Sequence, residues 1–251
     1  MTSYLLRLEC SRCREPHDPR IRQTVCRACG SALRSVYDLD RLRQEHPSPP
    51  WEGRPPGLWR YEELLPLDHP SEAVRLGETE SPILTLDPPG GSPALRVLMK
   101  DDGVLPTGSF KARGMALAVS RARTLGLRSL FVPSAGNAGV ALSAYGARAG
   151  VRVHVYLPES TPASVGRRCE EFGAEVTTVP GTIADAGRVA RSREPPESFD
   201  VSTLREPYRW QGKKTMGLEL FDQFRHDPAP PRRSSTRTGG RHRARRSLER
   251  L

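Results

Sequence analysis

The sequence predicts an α/β fold built on a parallel sheet, and three observations carry that reading. Across residues 101–205, short apolar runs of strand length alternate with longer helical patterns, the order expected of βαβ units. The repeat is about 25 residues, which suits the crossover connections that parallel strands need. Several helix candidates end at a glycine, the residue that most readily takes the left-handed conformation closing a helix.

The elements follow in order. Residues 8–38 carry four cysteines, and residues 47–60 hold prolines, glycines, Trp51 and Trp59, the composition of a connector that docks on something. Residues 61–100 lead into a first strand at 95–99, followed by strands at 129–133, 151–157 and 175–179. Helices are expected between and after them at 109–126, 137–150, 162–173 and 182–193. From about Phe224 the apolar periodicity stops and Arg, Pro, Ser and Gly dominate, a composition that cannot bury enough surface to offset chain entropy. The expected division is therefore a cysteine ribbon (1–40), a connector with the first part of a large domain (41–100) and an α/β domain (101–205). The start of a further half (206–223) and a disordered basic tail (224–251) complete it.

Composition narrows the class. The 251 residues are 36% hydrophobic, enough for a packed core. No stretch approaches the roughly 18 apolar residues of a membrane span, and residues 1–9 lack the apolar centre of a signal peptide. A soluble, cytoplasmic protein with no membrane partner is expected. The net charge of +10 suggests nucleic acid, but its distribution does not. Residues 232–251 hold eight arginines against one acid, Glu249, so this segment carries +7 and leaves +3 for the rest.

Cys10-x-x-Cys13 and Cys26-x-x-Cys29 are separated by twelve residues. Two such knuckles suit tetrahedral zinc, each turn pointing two thiolates at one centre. With no open position, such a site is structural, and the metal contributes folding energy that so small a hairpin lacks. Disulfides or free thiols are the competing reading, less suited to a cytoplasmic chain. Cys169 stands alone in a helix candidate and reads as a buried small residue.

Two loops carry candidate chemistry. Residues 105–114 (LPTGSFKARG) place Lys111 at a helix N-terminus, where the helix dipole and desolvation both disfavour an ammonium. A neutral amine can then condense with an aldehyde cofactor. Residues 134–139 (SAGNAG) open the next helix; glycines there let backbone N–H groups approach an anion, and Asn137 offers its amide to a ring hydroxyl. Both loops read as strand C-termini facing one crevice. Tight turns with glycines for packing are the alternative.

Thr107-Gly-Ser-Phe-Lys-Ala-Arg-Gly together with Ser134-Ala-Gly-Asn-Ala-Gly resembles threonine synthase, a fold type II pyridoxal-phosphate enzyme of the tryptophan synthase β-like kind. Residues 57–61 (GLWRY), 76–78 (LGE), 200–208 (DVSTLREPY) and 211–217 (QGKKTMG) agree, so the resemblance runs from residue 5 to about 223. It implies pyridoxal 5'-phosphate bound through Lys111, which also moves the proton, and Asn137 bonding the cofactor's ring oxygen. It further implies Ser134, Ala135 and Gly136 meeting the substrate's carboxylate or phosphate. An N-terminal zinc ribbon occurs in some members. The family reaction converts O-phospho-L-homoserine and water to L-threonine and phosphate. Two departures stand out: Ala112, where an acid is common in some members, and the 76–82 segment (LGETESP), where Gly-x-Thr-Pro is usual. Alternatives are a serine/threonine dehydratase of the same fold, or a non-catalytic fragment whose zinc ribbon and basic tail bind nucleic acid.

The resemblance also implies a cofactor-phosphate loop, a glycine run ending in Thr-Gly, after Phe224, and the sequence has none there. Read one base later, with permitted codons, residues 239–251 can spell Gly-Gly-Gly-Thr-Gly-Leu-Val-Gly-Ala-Trp-Lys-Gly. The expectation is a frameshift near 224–234 that removes the C-terminal half of the large domain. Weak or absent cofactor binding and no synthase activity follow for this chain, and a homodimer is allowed only at full length.

Overall fold

Residues 3–87, 97–227 and 231 are described in the computed structural model. The basic tail, its Gly239-Gly240 pair and the first residues of the expected 95–99 strand lie outside them.

Three sheets organise the chain. The N-terminal one has the order β2-β1-β3 (Pro16–His17, Leu5–Cys10, Leu33–Tyr37), all antiparallel, followed by a short helix α1 (Leu39–Glu45). The connector then docks through its tryptophans. Trp51 donates to Asp222 at 3.3 Å and Trp59 to the buried Glu78 at 2.7 Å.

The second sheet pairs β4 (Ile83–Leu86) antiparallel with β5 (Val97–Lys100). This corrects the expectation that the strand near residue 97 begins the parallel sheet. Its residues are only half-buried, whereas a parallel strand needs helices over both faces and a continuous buried run.

The third sheet is parallel, with the order β8-β7-β6-β9 (Glu175–Val179, Arg152–Pro158, Ser129–Pro133, Phe199–Asp200). The two-residue β9 is too short to show a period, so the sequence reading passed over it. Alternation along the strands sorts the two faces. Leu130, Val132, Val153, Val155 and Leu157 pack into the main core with α3 (Asn137–Ala149) and Cys169 of α4 (Ala163–Glu171). Phe131 and Tyr156 point the other way, against Ala186 and Ala190 of α5 (Ile183–Arg193).

Helix α2 (Lys111–Thr124) is clamped between α3 and α6 (Arg209–Phe224). A Cβ on Gly212 would lie 1.8 Å from the Arg113 carbonyl oxygen, so only glycine allows α6 to cross α2 this closely. Ala112 is fully buried in the core; an acid there would be sealed without a partner, which accounts for one departure from the family pattern. Among the described residues no helix is long and apolar enough to cross a membrane.

Candidate active site

The residues before Lys111 form a strained approach. Asp102–Val104 and Pro106–Gly108 are short 3-10 turns, and Thr107 sits at φ 66°, a left-handed conformation that costs a β-branched residue energy and persists chiefly at functional positions. The hydroxyls of Thr107 and Ser109 are buried without a hydrogen-bond partner. Two unsatisfied donors beside one lysine are the donor set a polar ligand would complete.

Lys111 is the first residue of α2, half-buried, its ammonium 4.1 Å from the centre of the Phe110 ring. Burial lowers its pKa, and the nearby Arg209 guanidinium lowers it further. Desolvation is thus the larger of the effects favouring a neutral amine.

The first turn of α6 supplies charges that sequence reasoning did not single out. Glu206 is buried and accepts the backbone N–H groups of Tyr208 and Arg209, both at 2.8 Å. Burial pushes its carboxyl up to about 7, with Arg209 opposing. Arg209, also buried, donates to the Val201 carbonyl at 2.6 Å while its Nε has no partner. Lys213 lies near the rings of Trp210 and Phe110, at 5.2 and 6.0 Å. Burial first, then Arg209 and Lys111, push its pKa down to about 8. The spacing of 206, 209 and 213 is that of one helical face, the signal that could have found them.

The second loop follows β6. Ser134 is buried, and its Oγ accepts the N–H of Gly136 at 3.2 Å and of Gly139 at 3.0 Å and donates to the Gly136 carbonyl. Its hydroxyl therefore shapes the turn. What the loop offers outward is the exposed Ala135, the backbone of Gly136 and the exposed Asn137, whose side chain makes no hydrogen bond to the described residues. A Cβ on Gly139 would meet Val155 at 2.7 Å, so this glycine serves helix–sheet packing, whereas the space beside Gly136 is open. The loop reaches the lysine through packing, α3 lying against both α2 and the Pro106–Gly108 turn. No hydrogen bond joins Lys111 to residues 134–137.

Of the chain's four lysines, Lys100 is paired with Glu219 at 2.9 Å and Lys214 donates to the Leu64 carbonyl and Gln211. Lys111 and Lys213 make neither kind of bond to the described residues.

The four cysteines form a separate centre. Their sulfurs all lie within 4.8 Å of one another and none is in a disulfide. Cys10 accepts the backbone N–H groups of Arg12 and Cys13 at 3.4 Å. The arrangement is compatible with a tetrahedral zinc ion. Cys169 is buried in the core, where burial raises its thiol pKa, as expected of a packing residue.

Residues 74–231 match the family model described as pyridoxal-phosphate dependent enzyme. The chain belongs to that family. Within this pyridoxal-phosphate-dependent family the resemblance to threonine synthase extends over most of the chain. It is 35% identical to threonine synthase of Halalkalibacterium halodurans over 71% of this chain and 50% of that protein. To threonine synthase of Methanocaldococcus jannaschii it is 32% identical over 86% of this chain and 53% of that protein. The chain thus spans about half the length of the curated relatives it matches. Among solved structures, a pyridoxal 5'-phosphate-dependent aspartate racemase superposes with a TM-score of 0.51 at 28% identity, over 59% of this chain and 47% of that one.

Proposed function

We propose that this chain carries the lysine half of a threonine synthase-like lyase acting on O-phospho-L-homoserine and water to give L-threonine and phosphate. The observation that carries the reading is Lys111 itself. Half-buried at a helix start, it has a lowered pKa and follows two unsatisfied hydroxyls and a strained Thr107. These residues fit pyridoxal phosphate, with Lys111 as the point of attachment through the aldehyde and Asn137 donating to the ring oxygen. When bound, the cofactor supplies an electron sink for carbanion chemistry.

The protein's own part is binding and proton movement. The backbone of Ser134, Ala135 and Gly136 receives the substrate's carboxylate or phosphate at the start of α3, where N–H groups point outward. Arg209 and Lys213 keep the neighbourhood positive, which favours an anionic substrate and holds the Lys111 amine neutral so that it can accept a proton. In the same reading the four cysteines hold a structural zinc.

The 251-residue chain alone is expected to bind the cofactor weakly and to turn over no O-phospho-L-homoserine. Support comes from apolar side chains exposed on β4, β5 and α6, namely Leu84, Leu86, Met99, Trp210 and Phe221, faces that the described residues leave uncovered. The test is reductive trapping with excess pyridoxal phosphate followed by peptide mapping. Label on Lys111 and not on Lys213 supports the assignment; label on Lys213 alone, or on none, overturns it.

A further inference from the structure

A cavity of about 440 Å³ opens where the cysteine ribbon meets the α/β body, lined by Ser3, Arg7, His17, Arg20, Asp68 and Arg121 among others. Two of its walls carry buried polar atoms with nothing to bond. His17 of β2 is 9% exposed and its Nε2 has no partner; Arg121 of the last turn of α2 is 4% exposed and its Nε has none. An unsatisfied polar atom in a sealed setting is costly, and two in one cavity point to an occupant that satisfies both. The Arg121 guanidinium is held in place by its other nitrogens, Nη2 donating to the Pro19 carbonyl at 2.8 Å and Nη1 lying 4.0 Å from Asp68. Its Nε–H is therefore preoriented. Arg7 and Arg20 add two more cations, against the carboxylates of Asp18 and Asp68, so the lining carries a positive excess.

We propose that this cavity binds a small oxyanion, the carboxylate or phosphate group of a metabolite, with Arg121 Nε–H and the His17 ring as buried donors and Arg7 and Arg20 at the mouth. Planar guanidinium donors match the oxygen forks of both groups. The site also has a route to the lysine. The Arg121 guanidinium stacks 5.6 Å from the centre of the Tyr208 ring, and the Tyr208 hydroxyl donates to the same Pro19 carbonyl at 3.0 Å. The Tyr208 N–H in turn bonds Glu206 beside Arg209. An occupant would steady the turn that faces Lys111.

Isothermal titration of the 251-residue chain with inorganic phosphate and, separately, with succinate tests this at low ionic strength. One saturable site is expected, weakened by about tenfold or more in the double variant Arg7→Ala, Arg20→Ala and in His17→Leu, and unchanged in Lys213→Met. The double variant alters two arginines at the mouth, so it keeps the test valid should His17→Leu misfold, with circular dichroism as the check. Saturation by phosphate alone assigns a phosphate ester, and by succinate alone a carboxylate. No saturation with either anion overturns the proposal. So does binding lost in Lys213→Met but kept in the other variants, because the anion would then sit beside Lys111.

Discussion

Arg113 donates two hydrogen bonds of 2.7 Å to Glu219, Nη1 to Oε1 and Nη2 to Oε2, with both side chains sealed from water. The same guanidinium grips Asp102 at 2.8 and 2.9 Å, and Lys100 joins Glu219 at 2.9 Å. Four segments of chain (β5, the turn before the lysine loop, α2 and α6) are thus locked two residues from Lys111. Replacing Glu219 by Ala leaves a buried guanidinium with one carboxylate and Lys100 with none. The expected loss is about 3–5 kcal/mol, read as a lower urea midpoint with unchanged slope. A loss under about 1 kcal/mol would show that Asp102 alone suffices.

The crossing of α2 and α6 gives a second prediction. Gly212→Ala places a methyl against the Arg113 carbonyl oxygen. The helices must part, costing about 1–3 kcal/mol as overpacking does. Lys213 should move away from Phe110, so reductive labelling of Lys213 relative to Lys111 should rise along with the loss of stability.

Lys213 gives a pH dependence whose sign is fixed. Its folded pKa, about 8, lies below that of an unfolded lysine, so between the two values the unfolded chain binds more protons. Stability contributed by this residue therefore rises as pH climbs from about 8 towards about 10. In Lys213→Met the rise should be shallower than in the parent chain over the same window. Parallel urea curves at stepped pH decide it, and an identical slope in both proteins counts against the assignment.

Metal content is the fourth. With zinc supplied, the purified chain should carry one ion. Chelation should speed amide exchange over residues 5–37 and at the Tyr208 turn, because Leu8, Cys10, Cys26, Leu33 and Tyr208 share one apolar cluster and folding of such a ribbon is coupled to its metal. Exchange confined to the ribbon would show that the cluster does not transmit the change.

The periodic parts of the fold were readable because each carries a repeating physical demand. Val153, Val155 and Leu157 alternate with His154 and Tyr156 on β7, and the sheet follows from that pattern. Phe199–Asp200 escaped because two residues have no period, and β5 was misplaced because its partner β4 precedes it by a loop rather than a crossover helix. At the site, Lys111 and Asn137 were legible from short motifs with local meaning. Arg209, Lys213 and Glu206 were not, since their relevance depends on α6 crossing α2, and nothing but Gly114 and Gly212 hinted at that contact. Glu78 was similar: its departure from the family pattern makes sense only once Trp59, Tyr145 and the Leu76 N–H are seen converging on its carboxylate.

The near absence of lysine has a chemical consequence. The chain reaches its isoelectric point of about 9.9 with 39 basic residues of which four are lysines. Guanidinium groups stay protonated at physiological pH and do not condense with aldehydes, so positive charge and carbonyl reactivity reside on different functional groups. An aldehyde diffusing over this surface meets almost no decoy amines before it reaches Lys111.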